Sequence, residues 1–470
     1  MRIDGMLVLM IPILILAAAL STAISPAPDP AVDQEMVAIA KDVSPERIAA
    51  TIQKLVSFHT RHTLSATDDP ASGIGAARNW IKQEMESYAK DSGGRMTVEF
   101  DKFTPAPNAR VPKPVEIMNV VATLKGTDPA AATRVYVVGG HYDSICNPMN
   151  DITCEAPGAN DDASGTSVAL ECARVLSKHS FPSTIVFIAF VAEEQGLLGA
   201  KNFADNAKKQ GWKVTMLNND IVGGNKGGPG KPPNDWVRVF SEGPGAKETE
   251  AENRARQSGG GEVDTPSRQL ARYVEDMQAM YVPGFPAKMI WRKDRFGRGG
   301  DHSPFAEVGY PAVRFCEAIE DFTRQHAKVV EEGGVRKGDL FEYVDPEYIA
   351  NVARINAVTL ASLADAPAPP ENAKYMNQRG ENSTIITWEA SPDNAASYEI
   401  VWRDTTAPRW EHVIDAGKEL KFRSTELSKD NYFFGVRAVD AKGHRSLVIF
   451  PKPPVRPQGA GAPPPVTDNF

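Results

Sequence analysis

The chain has 470 residues, more than one hydrophobic core normally serves, so two or three domains are expected. Its make-up, 42% hydrophobic and 24% charged, is ordinary for a globular protein. A net charge of −8 with no long basic run speaks against nucleic acid as a partner.

Residues Met6 to Leu20 form an apolar stretch behind Arg2 and lead into the small residues Ser21-Thr22-Ala23. This reads as a secretory signal over 1–23, cleaved near Ala23, on a protein exported to the periplasm or secreted. The stretch contains Pro12 and is shorter than the ~20 residues that a membrane span needs. No stable membrane span is therefore expected, with an uncleaved anchor as the minor alternative. An N-terminal segment, 24–43, follows.

From Pro45 to Ser65 the apolar residues Ile48, Ile52, Leu55 and Val56 recur at helical spacing. His59 and His62 lie there without a nearby carboxylate or cysteine and read as surface residues. A second helix is predicted over Ala76 to Ser87, then strands over Met96 to Phe103 and Glu116 to Leu124. Arg134 to Gly140 (RVYVVGG) reads as a buried strand ending at His141. Cys146 and Cys154 flank a short loop soon after it, and in an exported protein they are expected to form a disulfide. Asp161 sits in GANDDASG, before a helix over Gly165 to Lys178 whose stripe of Val168, Cys172, Val175 and Leu176 is core packing. The strand Ile185 to Ala192 leads to Glu193-Glu194, and Val214 to Asn219 ends at Asp220. Gly223 to Gly261 is rich in Gly, Pro and charge, and is expected to leave the sheet around one island, Trp236 to Phe240. His302 precedes a run over Pro311 to Phe315, whose Cys316 reads as core. A helix over Pro346 to Leu363 closes an α/β domain at 44–363.

Composition then shifts. Ala364 to Pro370 is a Pro/Ala linker that cannot continue a helix. Beyond it, over 371–455, short β-branched and aromatic runs alternate with turn residues, which over ~90 residues indicates a small all-β sandwich. With Trp388 in an early strand, then YEIVWR and YFFGVRAVDAKG, it resembles a fibronectin type III module. Such a module suits surface or polymer attachment. Its His412 and His444 have no metal-like spacing and read as surface residues. The tail, 456–470, is Pro/Gly/Ala-rich and expected to be disordered.

In an open α/β sheet, ligands gather outside the carboxyl ends of the strands. His141, Asp161, Glu194, Asp220 and His302 all stand at the ends of apolar runs, and together they suit two metal ions. Zinc takes His, Asp and Glu ligands and leaves a position for water in catalytic sites. A pair of ions ~3.5–4 Å apart clamps the attacking and departing oxygens of a hydrolysis. Asp161 would bridge, with His141 and Asp220 on one ion and Glu194 and His302 on the other. Asp143, two residues past His141, is placed to accept the other imidazole N–H and fix the tautomer. Glu193 would be free to act as general base. Taken singly these are weak signals, since a strand-end histidine, an Asp-Asp pair or a Glu-Glu pair is usually a satisfied polar group, a cap or a helix start.

The segments GGHYDS, APGANDDASG, VAEEQGLLGA, LNNDIVGG and GGDHSPFAEVGYPAV resemble the zinc aminopeptidases of metallopeptidase family twenty-eight, of the bacterial leucyl aminopeptidase type. The likeness covers roughly Ser44 to Leu363. It implies a zinc exopeptidase fold, with a mixed, largely parallel sheet between helices, and two Zn2+ held by His141, Asp161, Glu194, Asp220 and His302. It further implies Glu193 as general base, Asp143 as support, a metal-bridging hydroxide as nucleophile, peptide substrates and a cis bond between Asp161 and Asp162. Gly300 departs from the family, where Ser or a similar residue is common before Asp-His, and no oxyanion-stabilising side chain is assigned. The alternatives are a one-zinc glutaminyl cyclase-like acyltransferase and a non-catalytic binding ectodomain on the same fold. Carboxypeptidase or dipeptidase specificity also stays open.

Overall fold

The computed structural model describes residues 32–224, 234–245, 248–258, 261, 264–376, 381–393 and 395–453. The expected signal segment and the tail from 456 lie outside them. No helix among the described residues is long and apolar enough to cross a membrane.

The centre of the molecule is an eight-stranded sheet. Its strands are β1 (Met96–Phe103), β2 (Ile117–Leu124), β3 (Arg134–His141), β4 (Thr184–Phe190), β5 (Lys213–Asn219), β6 (Val237–Ser241), β7 (Ala287–Ile290) and β8 (Ala312–Glu317), in the order β1-β2-β4-β3-β5-β8-β6-β7. β4, β3, β5 and β8 run parallel to one another, so their carboxyl ends open on one edge. The flanking pairs β1–β2, β2–β4 and β6–β8 are antiparallel. β3 and β4 are buried at every position, which is why their sequences read as unbroken apolar runs rather than alternating ones.

Helices follow in the order α1 (Gln34–Asp42), α2 (Pro45–Val56), α3 (Gly73–Ala89), α4 (Ser164–Leu176), α5 (Leu198–Lys209), α6 (Glu250–Ser258), α7 (Pro266–Tyr281), α8 (His302–Glu307) and α9 (Pro346–Asp365). One apolar cluster joins α1 to α4, α7 and α9 to a face of the sheet, and a second joins α5 and α8 to the other. α2 starts where Ser44 caps Arg47 N–H and Pro45 presets the first turn. It stops at Val56 and not at Ser65, because the chain turns at His59 with φ 62°. Residues 57–65 then run beside the loop after β3, with a bridge from Thr60 to Ala156. His59 is exposed as expected, but His62 is buried, its Nε2 3.2 Å from the Met149 carbonyl and its Nδ1 accepting Leu64 N–H.

The island near Trp236 is no excursion from the sheet. It forms β6, whose Val237 and Val239 are fully buried, paired between β8 and β7.

β9 (Val330–Glu332) and β10 (Val335–Lys337) make an exposed hairpin. Beyond α9, β11 (Glu371–Tyr375), β12 (Thr384–Glu389) and β15 (Lys421–Ser424) form one antiparallel sheet. β14 (His412–Gly417), β13 (Ser397–Asp404) and β16 (Tyr432–Val439) form another, and the two share an apolar core around Trp388, Ile400 and Phe434. α9 runs two residues into the expected linker and stops before Pro367, since the residue preceding a proline is driven out of the helical region.

The β module is docked, and the linker is packed. Arg134 holds the Ala366 carbonyl and pairs with Asp393. Asp264 is fully buried between Arg272 at 2.6 Å and Arg403 of β13 at 2.7 Å. His444 is buried rather than on the surface, bridging Asp440 and Asp33 beside α1, while His412 stacks on Trp402. The Asp440 hydrogen bond, against burial and with Asp33, pushes the His444 imidazole up to about 9. Arg403→Ala is expected to destabilise the full chain by about 3 kcal/mol, the lower end for breaking a buried pair because Arg272 remains on Asp264. Chemical denaturation measures this, and an unchanged midpoint would show that the contact carries no docking energy.

Candidate metal centre

Four of the five proposed ligands meet at the carboxyl edge of the parallel strands. His141 is the last residue of β3, Glu194 lies in the turn after β4, and Asp220 directly follows β5. Asp161 lies in a short irregular stretch, Ala159–Ala163, before α4, and its peptide bond to Asp162 is cis. Gly158, with φ 51°, starts this stretch; a Cβ there would lie 2.5 Å from the Asp161 carbonyl and 2.7 Å from Ser144 Cβ. Gly140 and Gly165 let β3 approach the first turn of α4, where a Cβ on Gly140 would lie 2.4 Å from Gly165 C.

The side chains form two sets of three that share Asp161. His141, Asp161 and Asp220 make one set, and Asp161, Glu194 and His326 the other, with donor atoms in each set within 4.8 Å of one another. Asp161 Oδ1 is 3.1 Å from His141 Nε2, and its Oδ2 is 2.9 Å from His326 Nε2. Asp220 Oδ1 is 4.0 Å from His141 Nε2, and Glu194 Oε1 is 2.8 Å from His326 Nε2.

His302 is not in either set. It opens α8, fully buried, with Nε2 2.9 Å from the Lys293 carbonyl and 3.6 Å from Asp294. Burial lowers its imidazole to about 4, against the opposing pull of Asp294. His326 stands in the set with Asp161 and Glu194, where the sequence alone points to His302. It lies in the loop after β8, beyond the carboxyl end of that strand. No periodicity marks that loop. His326 sits at φ 54°, and its carbonyl accepts Asn147 N–H at 2.9 Å. The Cys146–Cys154 disulfide closes the loop carrying Asn147, so it supports this histidine as well as the His141 side.

Support residues also differ from expectation. The His141 tautomer is set by the main-chain carbonyl of Asp143, 3.0 Å from Nδ1, while the Asp143 carboxylate is 3.6 Å away. That carboxylate instead accepts the N–H groups of Glu193 and Glu194, at 3.3 Å each, and so fixes the turn presenting both glutamates. Asp162 accepts His141 N–H and Gly165 N–H, and Asp339 accepts Asn160 N–H and Asp161 N–H at 2.8 Å each. Arg61 is fully buried and donates to the carbonyls of Leu55, Tyr142, Pro157 and Gly158, tying α2 to both ligand-bearing loops. Arg314 pairs Asp220 at 2.8 Å and Asp294 at 3.0 Å.

The family model of peptidase family M28 matches residues 119–360, which spans the strands and loops that build this centre. The chain belongs to peptidase family M28. It is 45% identical over 426 residues to a protein of Leptosphaeria maculans named "Probable zinc metalloprotease", covering 90% of this chain and 98% of that one. A protein of Pyricularia oryzae with the same description is 42% identical, covering 90% and 85%. Among solved structures, the LapA aminopeptidase of Legionella pneumophila superposes with a TM-score of 0.51 at 21% identity, over 73% of this chain and 78% of that one. At that identity the likeness concerns the fold, a mixed, largely parallel sheet between helices.

As an M28 zinc metallopeptidase the chain needs a cation-binding donor set, and the residues present fit one. Glu194 Oε1 and His326 Nε2 are buried and 2.8 Å apart, yet neither makes a hydrogen bond. An imidazole nitrogen and a carboxylate oxygen so placed are satisfied together by a divalent cation. The local field asks for positive charge. Burial opposes protonation of His326, but Asp161 and Glu194 push it up to about 11. Burial likewise opposes a charge on His141, which Asp143 and Asp161 nevertheless hold well above the usual imidazole range. Burial, reinforced by Asp220 and Glu194, raises Glu193 well above an ordinary carboxylate.

Proposed function

We propose that the chain is an exported aminopeptidase that hydrolyses N-terminal residues from peptides with two zinc ions. His141 and Asp220 would hold one ion, Glu194 and His326 the other, with Asp161 between them. The observation that carries this reading is the pair of three-residue sets sharing Asp161, one oxygen directed to each histidine. When bound, two such ions supply Lewis-acid polarisation of the scissile carbonyl and activation of the attacking water. Glu193 takes that water's proton and delivers it to the leaving amine, a role helped by its raised affinity for protons. The Asp143 carboxylate accepts Glu193 N–H and holds that residue in place, while the Asp143 main-chain carbonyl fixes the His141 ring. The apolar stretch Met6 to Leu20 supports export, with cleavage near Ala23. The docked β module bears none of the proposed ligands and serves attachment, orientation or stability.

Zinc analysis of the purified protein together with hydrolysis of leucine p-nitroanilide tests the reading. Two zincs per chain and activity lost to a chelator and restored by zinc are expected. A single zinc with cyclisation of N-terminal glutamine would replace it with the acyltransferase reading. Two zincs without hydrolysis of any amino-acid p-nitroanilide would overturn the aminopeptidase assignment.

A further inference from the structure

The cleft beside the centre has a volume of about 290 Å³, and arginines stand in its walls next to the carboxylates of the centre. Arg110, Arg295 and Arg298 line it, whereas Met149 and Leu197 are its apolar side chains. A socket for a leucine-like side chain is expected to be lined mainly by hydrophobic groups.

The three arginines differ in what they are already bound to. Arg295 is consumed, pairing with Asp294 at 3.1 Å and Glu320 at 2.7 Å. Arg110, on the loop between β1 and β2, donates through Nη1 to the main-chain carbonyl of Glu194. Arg298, on the loop leading to α8, donates through Nη1 to Gln325 Oε1 at 3.2 Å, and Gln325 donates to Asp161 Oδ2 at 2.8 Å. Each exposed guanidinium is thus anchored to a ligand-bearing segment, and both line the same cleft. Neither forms an ion pair with a carboxylate among the described residues. A guanidinium presents five N–H donors in a planar fork, and a carboxylate is the group that matches it in a bidentate way.

We propose that Arg110 and Arg298 form a carboxylate-recognition subsite, so that the enzyme prefers substrates carrying a carboxylate close to the scissile bond. That group is either the side chain of an N-terminal Asp or Glu or the free C-terminus of a dipeptide. The inference rests on the peptidase reading above. With cations held by His141, Asp161, Glu194, Asp220 and His326, the carboxylates of the centre would be offset and the arginine charge would govern the cleft.

The test compares zinc-loaded wild type, Arg110→Ala, Arg298→Ala and the double variant on matched pairs. One pair is glutamate against glutamine p-nitroanilide, and the other is Leu-Gly against Leu-Gly amide. Wild type is expected to favour the charged member of at least one pair by about tenfold or more in kcat/KM, as a charge-assisted hydrogen bond provides. The ratio should collapse towards one in the double variant. The pair that shows the effect identifies the source of the carboxylate. Equal rates within both pairs for wild type, or a ratio that survives the double substitution, would overturn the subsite while leaving zinc-dependent hydrolysis intact. If no substrate is hydrolysed, the peptidase reading fails separately. Calorimetry of glutamate and glutamine, and of Leu-Gly and its amide, with the zinc-loaded protein then decides the subsite. Arginine-dependent selectivity for the charged member of either pair supports it, and equal affinities within both pairs reject it.

Discussion

Replacing Glu193 by Gln is expected to leave zinc content unchanged while lowering kcat by ~10²–10⁴-fold, the usual worth of a positioned general base. The substitution keeps size and hydrogen-bonding capacity but removes the basic oxygen. Glu193 N–H is held by Asp143 Oδ1 at 3.3 Å, and that main-chain contact survives the change. Its carboxylate lies in the same tight group as His141 and Glu194, yet His326 approaches Glu194 and not Glu193. Both adjacent glutamates line the cleft, but only Glu194 closes on a histidine, which would leave Glu193 free for proton transfer. Burial raises the proton affinity of Glu193, which suits a group that must accept a proton and surrender it within one turnover. Zinc analysis and kcat measured on the same preparation check the prediction. A variant that turns over at a near-normal rate would remove Glu193 from the mechanism, and one that loses zinc would mean that the two glutamates have exchanged roles.

Strand-borne parts of the site were legible because a buried parallel strand must be apolar along its length, so a charged residue at its end stands out. His141, Glu194 and Asp220 announce themselves in this way, and Asp161 does so through the glycine-rich turn ahead of α4. His326 carries no such mark, because it sits in an irregular loop and is fixed by a hydrogen bond to Asn147 from a distant segment. His302 stands out in the sequence by preceding an apolar run and by its Asp-His motif, but the run's far end is the one at the carboxyl edge. Arg61, Asp339 and Arg314 were missed for a related reason. Their roles are contacts to partners such as Pro157, Asp161 and Asp220, 96, 178 and 94 residues away in sequence, and nothing local records such contacts. β6 was misread because Gly- and Pro-rich segments flank a strand of only five residues, although its alternation of Val237 and Val239 with Arg238 fits one buried face.

His326→Ala and His302→Ala are expected to part company in zinc content. Wild type should hold about two zincs per chain after dialysis, His326→Ala about one, and Asp161→Ala close to none, since a bridging carboxylate serves both ions. His302→Ala should keep about two, because its ring belongs to neither of the two sets that share Asp161. Its cost should appear in stability, from the cavity and from the Lys293 carbonyl left without a donor. Asp161 differs from both histidines in that its two oxygens face different rings, at 3.1 Å and 2.9 Å. Removing it leaves His141 with Asp220, and Glu194 with His326, each a two-residue remnant where a zinc site needs at least three protein ligands. Loss of one ion from Asp161→Ala would place that carboxylate on a single metal. Loss of an ion from His302→Ala with both retained by His326→Ala would restore the ligand set that the sequence alone implied and displace His326 from the centre.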